Sequence, residues 1–428
     1  MRIRSEQIFG KLGKRTVPNE FLTISKLSIL RLLVLTILFQ AMKRVETIDF
    51  TRGLVMIIMA LDHVRDLMHT TSLSQNPVDL TTTTAGIFLT RWITHLCAPT
   101  FVFLSGTSAF ISLKNNTDIS AGRKFLVRRG LWLILLEFTL INFALWADIH
   151  FRILVFQVIA AIGAGLIIIS FLLKLSSRTI GIIGLVIIFG HNLLGNVTFK
   201  ENPVLKVIWS FLFRLDVLTV TPNFTFAILY PIIPWLGIML AGYGCGQLFL
   251  LEDKQRKKTL FFIGICLLAF FTILRLSNFY GDPSPWSVQK NPVFTFLSFI
   301  NISKYPPSLL YSVITLGFAF LFLALADGVK NGFTRFISVY GKVPLFYYLL
   351  HWYLIHSLMF IMVFFQGFTW KDLPFGPFMF GRPVNGSGVE LPYVYLIWAF
   401  VVLSIYPLCA WYSRYKSAHR EMKWLRYL

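Results

Sequence analysis

Residues 44–66, RVETIDFTRGLVMIIMALDHVRD, determine how the rest of the chain must be interpreted. The stretch has the length and apolar centre of a membrane-spanning helix, yet it carries Asp49, Arg52, Asp62 and His63. An ionisable group inside a span costs about 2.5–3.5 kcal/mol on insertion scales, so such groups persist where they face a protein interior or a wet cavity. The sequence therefore predicts a first span that lines a functional site.

The spacing of the charged residues supports this interpretation. At 3.6 residues per turn, Arg52 and His63 lie within about 20° of each other around the helix axis. Asp49 and Asp66 fall on the same broad face, and Asp62 lies to one side of it. The alternative is that the charges lie at the two rims of the membrane, with their side chains extended toward water. The shared face favours a polar site.

The composition is typical of a polytopic membrane protein. The chain has 428 residues, of which 56% are hydrophobic, and its mean hydropathy is +0.69; a soluble domain does not have so many unbroken apolar runs. A net charge of +21 would suggest nucleic acid in a soluble protein. Here the basic residues alternate with the spans, so we expect a lipid bilayer as the partner and no nucleic acid. The four cysteines lie singly in apolar runs, and no metal site is expected.

The hydropathy pattern predicts an all-α polytopic membrane protein with about ten transmembrane helices. The predicted spans are residues 49–68, 86–112, 127–147, 153–174, 179–195, 224–250, 259–276, 308–327, 341–365 and 391–413. Loops on one predicted side with the adjoining span ends, together with the two ends of the chain, hold 28 of the 40 Lys and Arg residues. Because basic loops stay in the cytoplasm, both termini are predicted to be cytoplasmic.

The chain is predicted to contain one transmembrane domain, residues 43–428, preceded by a basic extension, residues 1–42. That extension is expected to be amphipathic or poorly ordered. The loops on the opposite side could roof a site that opens outward, or could simply anchor the protein through interfacial aromatic residues. These loops are residues 69–85, 196–223, 277–307 and 366–390.

Two other predicted spans bring histidines to the depth of His63. The second span places Arg91 and His95 four residues apart, on one helix face. The ninth span carries His351 and His356, which are about 140° apart, so only one of them is expected to face the site. With about 1.5 Å of rise per residue, the histidines of these three spans fall at similar depths in the membrane.

A histidine near neutral pH can take a proton from a hydroxyl or amine, or accept an acyl group as a nucleophile. The acid that orients His63 could be Asp62, Asp66 or a residue of another helix. No nucleotide-binding loop, zinc-binding helix motif or nucleophile elbow is present in the sequence. The residues leave three classes open: an acyltransferase, a proton-coupled transporter or exporter of an envelope precursor, and a non-catalytic membrane scaffold.

Three stretches carry a resemblance to a known family: RVETIDFTRGLVMIIMALDHVRD, TRWITHLCAPTFVFLSGTSAF and GKVPLFYYLLHWYLIH. Together they resemble the bacterial branch of the heparan-α-glucosaminide N-acetyltransferase-like membrane proteins. The spacing of Arg52 and His63 is also similar to that in the first helix of the transmembrane acyltransferases that modify envelope polysaccharides. The resemblance implies transfer of an acetyl group from cytoplasmic acetyl-CoA to a carbohydrate acceptor across the membrane, with a histidine as base or acyl carrier.

The resemblance and the residue pattern together give a set of expected site residues. The expected catalytic residues are His63, Asp62, Arg52 and His95. The expected substrate-binding residues are Arg91, Asp66, Asp49, His351 and Ser105. The small-residue run around Ser105 could admit the pantetheine arm, but it suits close helix packing as readily as chemistry. The residues expected to bind the phosphates of acetyl-CoA are Arg123, Lys124, Arg128 and Arg129. The excess of basic residues that is usual in cytoplasmic loops would also explain these charges. The resemblance further implies a bacterial inner-membrane location and allows a homodimer.

Overall fold

The computed structural model describes residues 46–114, 118–195, 197–199, 201–419 and 421–426. The predicted N-terminal extension lies outside the described residues, so the boundary at residue 42 stays a prediction. The account below concerns the unit Thr47–Leu428.

The described part of the chain is mostly helical. A first helix, α1, covers residues 46–68. The other helices are α2 Ala85–Thr94, α3 Cys97–Leu113, α4 Ile119–Leu136, α5 Asn142–Trp146, α6 Val158–Leu172, α7 Ser177–Gly190, α8 Pro203–Phe213, α9 Ile232–Cys245, α10 Asp253–Ser277, α11 Pro292–Ile300, α12 Leu309–Ala326, α13 Gly332–Lys342, α14 Pro344–Phe365 and α15 Leu391–Ala418. A π-helical turn, Glu137–Ile141, joins α4 to α5.

Eight helical segments of the described residues are long and apolar enough to cross a membrane. They are Ala85–Leu113, Ile119–Trp146, Ser177–Leu194, Ile232–Leu250, Asp253–Ser277, Leu309–Ala326, Pro344–Phe365 and Leu391–Ala418. Each overlaps a predicted span, which confirms the all-α polytopic class. The count of ten and the cytoplasmic termini stay predictions.

The two remaining predicted spans differ from a simple apolar helix. The first, α1, is helical throughout but carries the charges described above. The prediction of a span over residues 153–174 was wrong in its first part, because Ile153–Phe156 is a strand, β1. Asn142 stabilises that strand: its Nδ2 donates to the Ile153 carbonyl at 2.9 Å, and its Oδ1 accepts from the Val155 amide at 3.2 Å.

A small sheet explains the second difference from the predicted spans. Strand β3, Phe224–Ile228, pairs in parallel with β1 and antiparallel with β2, Asp216–Thr221. Residues 224–250 are therefore a strand followed by a helix rather than one continuous span. The helix begins after Pro231, a residue that cannot continue a sheet ladder.

Buried apolar side chains form two large groups. One centres on α3, α6, α9 and α12, and the other centres on α1, α14 and α15. Helix α1 is held at one end by glycine contacts with α13: a Cβ on Gly53 would lie 2.0 Å from the carbonyl oxygen of Ile337, and one on Gly341 would lie 1.8 Å from that of Asp49. Small residues permit this close approach of two backbones. The cavities described next are lined by side chains from both groups.

Candidate functional site

The first cavity, called here the His63 chamber, encloses about 240 Å³. Helices α1, α2, α3 and α14 supply much of its wall, and the rest comes from α5, the start of α6 and the loops before α9, α12 and α15. The residues that line it are Met59, Asp62, His63, Asp66, Leu67, Arg91, Thr94, Cys97, Ala98, Phe101, Leu145, Trp146, Gln157, Val158, Leu229, Tyr230, Lys304, Tyr305, Tyr348, Trp352, Phe378 and Phe380.

The His63 ring is held by side chains of α14. Its Nδ1 lies 2.7 Å from Nε2 of His351, and the Nδ1 of His351 lies 3.1 Å from the carbonyl oxygen of Tyr347. One face of the His63 ring stacks on Trp352, with ring centroids 3.9 Å apart, and the edge of Tyr348 is 6.5 Å away. His63 is half-buried and lines the chamber, whereas His351 is fully buried. These contacts leave the ring little freedom to turn.

Asp62 is neutralised by two arginines rather than by His63. One carboxylate oxygen lies 2.8 Å from Arg65 Nη2, and the other accepts a hydrogen bond from Arg91. Arg65 also pairs with Asp66. A buried carboxylate requires such partners, since an unpaired charge in this environment costs several kcal/mol. The structure therefore places Asp62 in an ion-pair network beside His63.

A second opening, the Arg91 vestibule, encloses about 570 Å³ and shares Asp66, Arg91, Lys304 and Tyr305 with the His63 chamber. Among the described residues Lys304 has no carboxylate within ion-pair distance, and its ammonium lies 5.0 Å from the centre of the Tyr305 ring. Burial opposes ionisation of the Tyr305 hydroxyl, but Lys304 and Arg91 together lower its pKa below the ordinary value. The shared wall is thus rich in positive charge.

His95 belongs to the vestibule and not to the chamber. It lines the vestibule beside Arg91, and its ring contacts Tyr311 edge-on at 5.5 Å. The Tyr311 hydroxyl donates to the His95 carbonyl oxygen at 2.9 Å. Within the described part of the chain, His95 Nδ1 has no hydrogen-bond partner.

The third cavity, the Arg52 cavity, encloses about 330 Å³. Arg52 Nη2 donates to Ser108 at 2.8 Å, and its Nη1 donates to the Gly341 carbonyl at 3.2 Å and pairs with Asp49 at 3.4 Å. The residues that line the cavity are Arg52, Met56, Met59, Phe101, Ser105, Ser108, Ala109, Ser112, Phe125, Leu126, Arg129, Leu133, Val158, Ile159, Ile162, Leu166, Lys342, Pro344, Leu345, Tyr348 and Lys416. It is therefore a cationic cavity with apolar walls.

One layer of side chains separates the His63 chamber from the Arg52 cavity. Met59, Phe101, Val158 and Tyr348 line both spaces, and we call them the partition. Met59 precedes His63 by four residues on α1, which is about 6 Å along the helix. His63 thus lies one helical turn beyond the barrier between the two cavities.

Comparison with known proteins identifies the family. A family model described as heparan-alpha-glucosaminide N-acetyltransferase, catalytic, matches residues 44–279, which is more than half of the chain. The chain belongs to this family. A search of curated proteins finds no match.

Membership in the heparan-alpha-glucosaminide N-acetyltransferase family confirms the resemblance at the level of the family, whereas the bacterial branch stays a prediction. It places the chain in the general class of transmembrane acetyltransferases. The matched region contains His63, Arg52, Arg91 and Arg129. It ends before Lys304 and α14, so the family match does not extend to the partners of His63. Among the described residues, no group of three or more His, Cys, Asp or Glu side chains is placed to hold a metal ion.

The structure divides the expected catalytic and substrate-binding residues among the three spaces. His63, Asp62, Asp66 and Arg91 line the chamber, and His351 contacts His63 from behind it. His95 lines the vestibule. Asp49, Arg52 and Ser105 lie at the Arg52 cavity or against a residue that lines it.

The four residues expected to bind phosphates are similarly divided. Among the described residues, Arg129 is the one of these four that lines the Arg52 cavity. Arg123 donates to the Ser170 carbonyl at 3.2 Å and lies over the Phe171 ring, while Lys124 and Arg128 are exposed.

Sequence reasoning missed several residues of the site. Lys342 and Lys416 line the Arg52 cavity, and Lys304 and Trp352 line the chamber. Trp352 follows His351 directly in the sequence, and an aromatic residue beside a buried histidine was a signal that could have been used. The three lysines come from separate elements, so only the tertiary fold shows that Lys342 and Lys416 meet at one cavity and that Lys304 lines the other.

Arg382 was also missed, although it fixes the end of α1. Its Nη1 donates to the carbonyl oxygens of Leu67 and His69, both at 2.9 Å. A guanidinium at this position satisfies carbonyl groups that a helix end leaves without partners. Burial lowers the pKa of Arg382 to about 10. The loop before α15 therefore holds the end of α1 that carries His63.

Proposed function

We propose that the chain transfers an acetyl group from acetyl-CoA, bound in the Arg52 cavity, to a carbohydrate acceptor in the His63 chamber. The observation that carries the proposal is that His63 lies one turn beyond a partition that is a single side-chain layer thick. Two ligands on either side of this partition would approach each other without a large movement of the helices. His63 would act as the base or as the acyl carrier.

The charge of the Arg52 cavity supports its role as the donor site. Arg129, Lys342 and Lys416 reach it from α4, α13 and α15, and Arg52 lines it beside Ser108. Coenzyme A carries several phosphate charges, and cations of this kind would neutralise them. The pantetheine arm would extend along the apolar wall past Ser105, toward the partition.

Two chemical routes fit this arrangement. In the first, an imidazole nitrogen of His63 attacks the thioester carbon, a C–N bond forms, the C–S bond breaks, and the CoA thiolate leaves and takes up a proton. The acetyl group then passes from the imidazole to the acceptor oxygen or nitrogen, which gives up its proton. In the second route, His63 takes the proton of the acceptor while that acceptor attacks the thioester directly.

Asp62 has a structural part in this proposal. Its carboxylate holds Arg65 and Arg91 in place and makes no hydrogen bond to His63 within the described structure. Arg91, Asp66 and Lys304 would then bind the acceptor where the chamber meets the vestibule. The aromatic rings of Trp352, Trp146 and Phe380 would pack against the sugar, as in other sites that combine aromatic walls with a few polar groups.

Binding of acetyl-CoA to the detergent-purified protein tests the donor half of the proposal. We expect saturable binding, measured by calorimetry, that weakens when desulfo-CoA or free phosphate replaces acetyl-CoA. His63→Gln is expected to bind acetyl-CoA as the wild type does but to transfer no acetyl group. His150→Gln, which changes an exposed histidine, is the matched control and should remain active. Absence of binding at millimolar acetyl-CoA would refute the donor assignment.

A proton-coupled transporter or exporter is a second candidate, because two cavities separated by a thin partition also suit alternating access. The ion pairs of Asp62 with Arg65 and Arg91 would then form part of a proton relay. This function predicts flux driven by a proton gradient and independent of acetyl-CoA. A bacterial inner-membrane location and a homodimer remain proposals that follow from the family.

A further inference from the structure

The His63 ring contacts a second histidine where a catalytic histidine commonly contacts a carboxylate. We propose that His351 is a positioning residue that fixes the tautomer of His63, so that Nε2 of His63 is the nitrogen that reacts. The part of this inference that concerns reaction rests on the proposed function. The tautomer itself follows from the contacts and can be measured separately.

The tautomer can be derived from a backbone carbonyl. The Nδ1 of His351 lies 3.1 Å from the Tyr347 carbonyl oxygen, which can only accept a hydrogen bond. His351 Nδ1 must therefore carry a proton. In a neutral imidazole the other nitrogen is then unprotonated, so Nε2 of His351 is an acceptor. Nδ1 of His63, 2.7 Å away, must be the donor in that contact.

The surroundings of His351 favour its neutral form. Its side chain is fully buried, and no described acidic residue forms an ion pair or hydrogen bond with it. A buried charge without a partner is costly, so a cationic His351 that donates from both nitrogens is disfavoured. Asp62, the nearest acid in sequence to His63, is held by Arg65 and Arg91.

The remaining contacts direct the free nitrogen of His63 toward the chamber. Nδ1 is directed to the buried His351, and one ring face is covered by Trp352 at 3.9 Å. His63 is nevertheless half-buried and lines the chamber, so its accessible edge lies on that side. Nε2, with its lone pair, makes no hydrogen bond to a described residue. It is free to attack a thioester carbon or to accept the proton of an acceptor.

The arrangement is a chain of two hydrogen bonds, from His63 Nδ1 to His351 Nε2 and from His351 Nδ1 to Tyr347 O. It orients His63 in the way that a carboxylate orients other catalytic histidines, but through a neutral group. Without His351, neutral His63 could carry its proton on Nε2, and the nitrogen at the chamber would then lack the lone pair that both proposed routes require.

Two variants of similar size separate the positioning role from packing. In His351→Gln, the amide oxygen comes close to the position of the lost Nε2 and can accept from His63. In His351→Asn, the shorter amide can still donate to Tyr347 O but does not reach His63. Loss of an outer-shell partner that orients a metal-bound histidine costs roughly 10–100-fold, and we take this range for the orientation of His63. We therefore expect kcat to fall by that factor in H351N, to remain within about threefold in H351Q, and KM for acetyl-CoA to change little in both.

The matched control is His191→Gln. His191 is also a buried histidine, but its ring contacts the carbonyl oxygens of Ile187 and Pro307. It is not among the described residues that line the three cavities. Its activity per folded protein should equal that of the wild type. Equal kcat in H351N, H351Q and wild type would overturn the positioning role.

Nitrogen NMR of protein labelled with 15N-histidine provides the readout that a packing role would not change. The His63 signals, identified by their loss in His63→Gln, are expected to show a protonated Nδ1 and an unprotonated Nε2 in wild type and H351Q. They should show increased Nε2 protonation in H351N. A wild-type His63 protonated on Nε2 would overturn the inference. If the tautomer is as expected but the wild type transfers no acetyl group from acetyl-CoA, the proposed function fails while the assignment of His351 stands.

Discussion

Asp62→Asn is expected to destabilise the protein strongly while leaving the chemistry of His63 largely intact. The side chains of Asp62, Arg65 and Arg91 are only 9%, 3% and 12% exposed. Removing one partner of a buried ion pair costs about 3–5 kcal/mol, because the other charges remain buried without compensation. Arg65 retains Asp66, but Arg91 loses the one carboxylate with which it pairs among the described residues. We therefore expect a loss of about 3–5 kcal/mol in the free energy of unfolding.

The assay is equilibrium unfolding in mixed micelles, followed by tryptophan fluorescence, for four proteins: wild type, Asp62→Asn, Arg91→Met and the double variant. The double variant should lose less free energy of unfolding than the sum of the two single losses, because it removes both members of the pair. We expect the difference to be about 1–3 kcal/mol. Acetyl transfer per folded Asp62→Asn molecule should stay within about tenfold of wild type. A variant that is as stable as wild type but inactive would refute this reasoning and return Asp62 to a catalytic role.

Three further predictions concern the partition, the donor site and the loop after α5. Phe101→Ala should remove part of the partition and enlarge the space beside it. We expect the preference for butyryl-CoA over acetyl-CoA to rise by about 5–100-fold in kcat/KM, since forcing two extra methylenes into a packed site costs about 1–3 kcal/mol. Lys342→Met combined with Lys416→Met should raise KM for acetyl-CoA by about tenfold or more and weaken its salt dependence, because phosphate contacts are lost. Burial opposes ionisation of Asp148, but hydrogen bonds from Arg152 and nearby amides keep its pKa below the ordinary value. Its contribution to the free energy of unfolding is therefore present above about pH 4 and is lost as the pH falls through the lowered pKa. Asp148→Asn should remove that pH dependence of unfolding.

Each of these predictions has a control and a contradicting result. For Phe101→Ala, Phe262→Ala removes an exposed phenyl ring outside the partition, and an unchanged chain-length preference in Phe101→Ala would contradict the role of the partition. For the two lysines, Lys254→Met with Lys257→Met removes two exposed charges, and an equal rise of KM in both pairs would indicate a general charge effect. For Asp148, the same acid sensitivity in wild type and variant would place the titrating group elsewhere.

Much of the fold was accessible from the sequence, because apolar runs of spanning length require helices in a bilayer. The strands at Ile153–Phe156 and Phe224–Ile228 were not, since short apolar strands and buried helical segments have the same hydropathy. Their backbone groups find partners in each other and in Asn142, which a local pattern does not show.

The candidate site was accessible only in part, and α1 shows why. Arg52 and His63 share a helix face, as their spacing predicts, but eleven residues separate them by about 16 Å along the axis. They therefore line two different cavities, on opposite sides of the partition. The depths in the membrane estimated from the sequence allowed His63 and His351 to meet. Their contact at 2.7 Å, however, depends on how α14 is rotated about its axis relative to α1. Side-chain periodicity does not determine that rotation.

The central claim is that an acetyl group crosses the partition at His63, and transfer across a sealed membrane tests it most directly. Proteoliposomes would receive radiolabelled acetyl-CoA outside, with a set of hexosamines and hexoses enclosed inside, and the enclosed sugars would be analysed for label. We predict that wild-type protein labels an enclosed sugar, that His150→Gln does so equally, and that His63→Gln does not although it still binds acetyl-CoA. Equal labelling by His63→Gln, or no label on any enclosed sugar with wild-type protein that binds acetyl-CoA, would contradict the account.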